Sequence, residues 1–345
     1  MPRVIGIDPG TVSIDLCGLD RGKVWLDRTF PTEQALLDPA TLVALLAEGG
    51  PPDLIAGPSG YGLPMTRGAD LDEASLRLAL LALPGAEGGL GGLGRLMRAL
   101  ATSHLPVVFT PGVIHLPTVP AHRKCNRVDL GTADKVAAAA LGIWDQTRRL
   151  GGPPTDASFI LLELGGAFTA ALAVAGGAII DGIGGTSGPM GWQSGGAWDG
   201  EVAILAGRVT KAMLFRGGRL GNPNESPALG LAGYVESAHK AVLALMASQP
   251  APREILLSGR HATDPEVRAM LDPRIGTLAP LRELKGFGTV AKQGAQGAAL
   301  IADGLVGGTQ RGLVEAMRLR EAGGTVLDHL RVITAADARH ELGIG

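Results

Sequence analysis

Aromatic residues are scarce in this sequence. Phe, Trp and Tyr supply 3% of 345 residues while glycines number 53, so a core has to be built from Ala, Leu, Val and Ile. Cysteine is scarcer still, with Cys17 and Cys125 far apart and no C-x-x-C pair. That excludes a disulfide framework, a zinc ribbon and an iron–sulfur cluster held within one chain. It fits a reducing cytoplasm. Charge of one sign is missing too. The formal net charge is −2, which gives no electrostatic case for nucleic acid or an anionic membrane as partner. A small ligand is the expectation. No apolar run free of charge and Gly approaches the roughly 20 residues of a membrane helix. No charged segment followed by an apolar one opens the chain as a secretion signal would. A soluble, cytoplasmic protein is expected.

What is present is a large apolar fraction, 46%, in a chain long enough for two cores. Val4 to Ile7, Ile14 to Leu19 and Lys23 to Leu26 read as three strands, and the acid, Pro, Gly and hydroxyls of Asp8 to Ser13 separate the first two. By itself Asp8-Pro9-Gly10-Thr11 is an ordinary turn. A helix near Glu33 to Glu48, a strand at Asp53 to Gly57, helices near Leu71 to Leu83 and Gly92 to His104, and a strand at Pro106 to Ile114 follow. After a polar, basic loop comes an Ala-rich helix to about Arg149, then the break Gly151 to Asp156. Beyond it "SFILLELGGAFTAALAVAGGAIIDG" repeats the order of "RVIGIDPGTVSIDLCGLDRGKVWLD": strand, acid, Gly with Thr, strand, tight Gly-bearing turn, strand. This predicts a duplicated α/β domain. "EILLSG" (254–259) is a further strand ending in Gly, "AKQGAQGAALIADGL" (291–305) a Gly/Ala-faced helix, and the chain from Gly312 reads as helical with a frayed tail.

Two hairpins with an acid and a Gly/Thr turn, then strand-Gly and a small-residue helix, resemble the acetate and sugar kinase/Hsp70/actin (ASKHA) superfamily. Within it, the "GTADK" helix start and the chain length resemble an uncharacterised group labelled "probable butyrate kinases". The resemblance implies two ribonuclease H-like (actin-like ATPase) domains, 1–150 and 151–345, with a nucleotide cleft between them and ATP and Mg as cofactors. It implies phosphate contacts at Gly10, Thr11, Ser13, Gly165, Gly166 and Thr169, adenosine contacts at Ser258 and Gly259, and linking helices at Gly131 to Trp144 and Ala291 to Ala302. Backbone N–H groups at Gly10, Thr11 and Gly165 to Ala167 suit an anion-binding concavity. Asp8 and Glu163 repel phosphate, and fit instead as outer-shell anchors of a hydrated Mg²⁺. Glu163 stands where the superfamily usually has Asp. An acid paired with a neighbouring Lys or Arg is the alternative for it.

Asp134 falls in the first turn of the Ala-rich helix behind the N-cap candidate Thr132, where the helix dipole favours its ionised form. By position it resembles the catalytic Asp of sugar kinases, and the resemblance implies a catalytic role for it beside Asp8. It argues for a hydroxyl acceptor, because a carboxylate acceptor has no proton to lose; a dipole-stabilising acid is the alternative. His122, Arg123, Lys124 and Arg127 crowd potential cations into "AHRKCNRVD". His122, Arg123 and Arg127 read as a substrate-anion site, against a solvated basic loop. "GGTSGPMGWQSGGAWDG" (184–200) reads as a lid or substrate loop, with Thr186 and Ser187 toward substrate and Trp192 and Trp198 shielding it, or else as a subunit contact. "GLGGLG" (89–94) lies between helices and is read as a flexible loop, not a dinucleotide fingerprint. His115 and His122, separated by two prolines, make no zinc site. The expected function is ATP- and Mg-dependent phosphotransfer to a small anionic acceptor, a short-chain carboxylate or a hydroxyl-bearing metabolite. A nucleotide-binding switch acting through a protein partner is the other class, and a hydrolase remains open. Small-residue helices and the Trp loop leave room for a homodimer.

Overall fold

The computed structural model describes residues 2–48, 50–85, 91–221 and 226–345. The first sheet holds β1 (Arg3–Pro9), β2 (Ser13–Asp20), β3 (Lys23–Pro31), β4 (Leu54–Gly57), β5 (Thr66–Arg67) and β6 (Val107–Phe109), in the order β3-β2-β1-β4-β6-β5. The second holds β7 (Phe159–Leu164), β8 (Thr169–Ala175), β9 (Ala178–Ile183), β10 (Glu254–Ser258) and β11 (Leu281–Glu283), in the order β11-β10-β7-β8-β9. Both sheets therefore contain an antiparallel three-strand meander continued by two parallel strands, as the internal repeat predicts, with the short β5 added antiparallel at the edge of the first. Even the irregularity is duplicated. The pairing of the second and third strands slips after Gly18 in one sheet and after Ala173 in the other, ten residues beyond Asp8 and Glu163 respectively.

Alternation along the strands sorts the core into three layers. Val4, Cys17, Phe159 and Leu161 face a central layer between the sheets, whereas Ile5, Ile7, Ile160 and Leu162 face the two outer layers. Fully burying a side chain such as Phe159 contributes roughly 2–3 kcal/mol. The central layer is filled by two helices, Ala133–Leu150 and Gln293–Leu305. Their small residues let backbones nearly touch: a methyl on Gly297 would lie 1.7 Å from the Ala137 carbonyl oxygen, and one on Gly6 of β1 would lie 2.2 Å from that of Ala295. Each helix crosses to the other half of the chain. Ala133–Leu150 packs on β7 and β8, and Gln293–Leu305 lies on β1, β2 and β4.

Several boundaries depart from the sequence reading. The helix expected at Glu33 to Glu48 is two, Thr32–Leu37 and Pro39–Leu46, because Pro39 cannot continue a helix but suits the start of the next, which Asp38 caps. The Leu71 to Leu83 helix contracts to Glu73–Leu80 and ends at Leu81, which takes a left-handed φ of 47°. The strand at Pro106 to Ile114 is only Val107–Phe109, followed by a single 3-10 turn at Val113–His115. "GLGGLG" is not a loop where it is described: Gly91 opens the helix Gly91–Thr102, and Gly89 and Leu90 lie outside the described residues. No helix among the described residues is long and apolar enough to cross a membrane.

Candidate active site

The β1–β2 and β7–β8 turns meet across a cleft of about 470 Å³. A methyl on Gly166 would lie 3.6 Å from Val12 Cγ2 and 3.7 Å from Thr11 Oγ1, which measures how closely the two tips oppose. Gly165 donates its N–H to the Phe168 carbonyl at 3.0 Å and closes its turn, so the tip donors on that side are Gly166 and Ala167. Behind them the chain leaving β10 turns at Gly259, whose φ of +89° and 2.6 Å clearance to the Leu164 oxygen exclude a side chain.

Between the turns lies a cluster of opposed charges. Lys135 donates to Asp134 Oδ2 at 2.5 Å and to Glu163 Oε1 at 2.6 Å, and the Thr132 hydroxyl donates to the other Asp134 oxygen. Burial works against the Asp134 charge, but Lys135 and Thr132 outweigh it and hold its pKa below the usual carboxylate value. Glu163, with one oxygen on the same ammonium, is shifted up because burial prevails there. Lys135 itself is pushed above the ordinary lysine value: burial opposes this, and the two acids overcome it. Asp8 is pushed up to about 8 by burial first and then by the Asp134 charge, which Lys135 and Lys292 offset only in part. Lys292 bonds the Ser13 hydroxyl and lies 3.3 Å from the buried Asp15, so a second ammonium is fixed beside the first turn.

Around Asp129 and Lys211 the cleft changes character. Asp129 is buried and accepts from Gly131 N–H at 3.1 Å, Thr186 N–H at 2.9 Å and the Thr186 hydroxyl at 2.8 Å. Lys211, on the 3-10 turn Lys211–Phe215, reaches into this end with its ammonium 5.0 Å from the Tyr61 ring centre. Leu80, Leu93, Leu214 and Phe215 complete the wall. Burial pushes the Lys211 pKa down to about 8, and Asp129 resists the shift.

Of the residues expected from the sequence, Asp8, Gly10, Thr11, Ser13, Asp134, Glu163, Gly165, Gly166, Thr186 and Gly259 all line this cleft. Thr169 and Ser258 do not. Both are buried within strands of the second sheet, Ser258 in register with Glu163. Ser187 is turned onto the Asp129 carbonyl. The basic loop is a correction, since His122, Arg123 and Arg127 are not part of the cleft lining. His122 and Arg127 are exposed, and Arg123 donates to the Ile180 carbonyl at 2.6 Å with Asp181 at 3.7 Å. Its neighbour Lys124 bonds the Leu116 carbonyl at 2.8 Å. These cations tie the loop to the second sheet and to its own backbone. Trp192 is fixed in packing, with His261 stacked on its ring at 3.5 Å, the Arg219 guanidinium 4.1 Å from its centre and Tyr234 edge-on at 5.7 Å. Sequence reasoning missed Lys135, Lys292 and Lys211. The first two lay inside stretches it singled out, "GTADK" and "AKQGAQG".

The donor set decides what metal it suits. No group of three or more His, Cys, Asp or Glu side chains spaced for direct metal binding occurs among the described residues. A hydrated Mg²⁺ arriving with phosphates needs only one or two carboxylates. Asp8 fits it, being a buried acid facing two others in a cluster short of positive charge. Glu163 fits less well, with one oxygen already held by Lys135.

The fold is similar to that of the acetate kinase of Entamoeba histolytica, at 13% identity over 80% of this chain and 87% of that one, with a TM-score of 0.56. It is similar to a propionate kinase of Francisella tularensis, at 13% identity over 81% and 89% with a TM-score of 0.56. It is also similar to the acetate kinase of Porphyromonas gingivalis, at 13% over 81% and 88% with 0.52. No curated protein matches the sequence. Residues 6–332 match the family described as "Protein of unknown function (DUF1464)", a description that carries no activity. With nearly its whole length matched, and with the two-sheet ASKHA-type fold that the duplicated hairpins predict, the chain belongs to the DUF1464 family.

Proposed function

We propose that this protein transfers the terminal phosphoryl group of ATP to a small anionic acceptor, and that the acceptor is a carboxylate. The observation that supports phosphotransfer is the opposition of two glycine-bearing turns around the Asp8, Asp134, Glu163, Lys135 and Lys292 charges. Phosphoryl transfer needs little covalent help from a protein, and is driven by positioning and by charge placed around the moving group. The acetate and propionate kinases that share the fold support the same class.

Asp134 favours the carboxylate. A base that deprotonates a hydroxyl needs a free oxygen and a pKa near the working pH. Asp134 has an oxygen on Lys135 and an oxygen on Thr132, and its pKa is lowered. A carboxylate acceptor needs no base: its oxygen forms the new O–P bond as the bond from phosphorus to the β–γ bridging oxygen breaks. The electron pair leaves with ADP. Mg²⁺, held through water by Asp8, would supply neutralisation of phosphate charge. Lys135 and Lys292 keep the acids beside the phosphates from repelling them, and the tips at Gly10 and Gly166 orient the chain of phosphates. This is the chemistry of a butyrate kinase-like enzyme.

The test is ADP formation with Mg²⁺, ATP and a panel of short-chain carboxylates, hydroxy acids and sugars, with hydroxylamine present to trap any acyl phosphate as hydroxamate. Carboxylate-dependent turnover with hydroxamate, reduced less than about tenfold in Asp134→Asn, is expected. Turnover confined to hydroxyl acceptors and lowered by the roughly 10²–10⁴-fold typical of a lost base would overturn the carboxylate reading. Tight ATP binding without acceptor-dependent turnover would replace it with a nucleotide switch.

A further inference from the structure

We propose that the Lys211 end of the cleft is the acceptor subsite, and that it selects a monocarboxylate with a short aliphatic tail over dicarboxylates. The word acceptor rests on the phosphotransferase reading; the anion binding does not.

Three observations carry it. First, Lys211 differs from the other cleft lysines. Lys135 and Lys292 are each tied to carboxylates at 3.3 Å or less, whereas Lys211 makes no hydrogen bond or ion pair with any described residue. Asp129 is the charge nearest in influence, but both its oxygens already accept from Gly131 and Thr186. A partly buried ammonium that has an aromatic face and an already engaged carboxylate near it, but no hydrogen bond, is unsatisfied, and an anion is what satisfies it. Second, apolar surface lies close by. Leu214 and Phe215 share the Lys211 turn, Leu80 lies beside Gly60 next to Tyr61, and Phe215 is braced edge-on against Phe168 at 4.9 Å. A tail of a few carbons removes that surface from water at roughly 0.8 kcal/mol per methylene. Third, of the other cations lining the cleft among the described residues, Lys135 and Lys292 are held by acids and Arg260 lies beside Gly166, while the charge nearest Lys211 is the Asp129 carboxylate. A second carboxylate would meet that charge with no cation of its own, which is the arrangement that rejects a ligand most strongly.

A phosphate group could satisfy the same ammonium, so the titrations separate the two sources. Wild type, Lys211→Met, Lys211→Arg and Leu214→Trp are titrated calorimetrically, without ATP, with acetate, butyrate, succinate, inorganic phosphate and ADP. Butyrate should bind, and succinate at least about tenfold more weakly. Lys211→Met should weaken butyrate by roughly 10- to 100-fold, the worth of one hydrogen bond to a charge. It should leave ADP within about threefold. Lys211→Arg should recover most of the loss, and Leu214→Trp should shift preference from butyrate toward acetate. Unchanged butyrate affinity in Lys211→Met, equal affinity for succinate, or a loss that falls on phosphate or ADP instead would each overturn the assignment. A thermal midpoint for Lys211→Met within a few degrees of wild type guards against unfolding, and Leu214→Trp carries the test if that fails. The two proposals also fail separately. Lys211-dependent butyrate binding without turnover sinks the kinase and leaves the subsite; butyrate turnover with an unchanged KM in Lys211→Met does the reverse.

Discussion

Replacing Lys135 by Met tests the charge cluster directly. The ammonium bridges Asp134 and Glu163 at 2.5 and 2.6 Å, with side-chain exposures of 16%, 25% and 16% for Lys135, Asp134 and Glu163. Removing one partner of a buried pair costs about 3–5 kcal/mol because the other charge is left uncompensated. An open cleft lets some water in, so we expect about 3 kcal/mol at pH 8. The loss should depend on pH, and its sign follows from the shifts. Asp134 is lowered, so its contribution is present above the ordinary carboxylate value and disappears as pH falls through its folded value. Asp8, at about 8, and Glu163 are raised, so the native state holds protons that the unfolded chain releases. Their effect is a stability that declines as pH climbs from about 4 toward 8. Lys135 pulls all three acids down, and without it that decline steepens. Urea unfolding of wild type and Lys135→Met should therefore differ already at pH 5, where the Asp134 contribution is still present, and differ more at pH 8. A loss below about 1 kcal/mol at pH 8, or the same loss at both values, would refute the reasoning.

Other consequences follow from close contacts and from the second cation. Gly297→Val should lower stability by about 3 kcal/mol or more in thermal or urea unfolding, because the Ala137 backbone leaves it no room. Gly166→Val meets only ordinary contacts at 3.6 Å and beyond. It should unfold within a few degrees of wild type yet bind ADP at least about tenfold more weakly in titration, since the new side chain fills the gap between the turns. Butyrate affinity should fall as pH rises from 7 to 9, because Lys211, pushed down to about 8 by burial, loses its proton there while Tyr61, pushed up by burial, stays neutral. A flat profile would remove Lys211 from the binding site.

The duplicated hairpins were legible because a strand buried on both faces leaves an uninterrupted apolar run, and the acid and glycine of each turn stand out against it. Asp8 and Glu163 could be named for that reason, and Asp134 from its place in the first turn of the Ala-rich helix. Their shared partner could not, since Lys135 meets Glu163 only when the Ala-rich helix crosses onto the second sheet. Lys211 was less visible still. Nothing around it in sequence marks it, and its neighbours Tyr61, Leu80 and Leu93 come from more than a hundred residues away. The basic loop misled for the opposite reason. Local charge density in "AHRKCNRVD" looked like an anion site, but Arg123 and Lys124 donate to main-chain carbonyls, an outcome that composition alone does not distinguish from free cations.

The exchange of helices between the halves bears on how the chain comes off the ribosome. When residues up to the Gly151 to Asp156 break have emerged, the inner faces of β1, β2 and β4 have no cover, because Gln293–Leu305 has yet to be made. The helix Ala133–Leu150 likewise waits, without the sheet it packs on, for β7 and β8. Neither half can finish alone, and a cut at the break should yield two aggregation-prone fragments that regain structure only when mixed. Two halves of one plan, each lending a helix to the other, also have the form of an intertwined pair carried on a single chain.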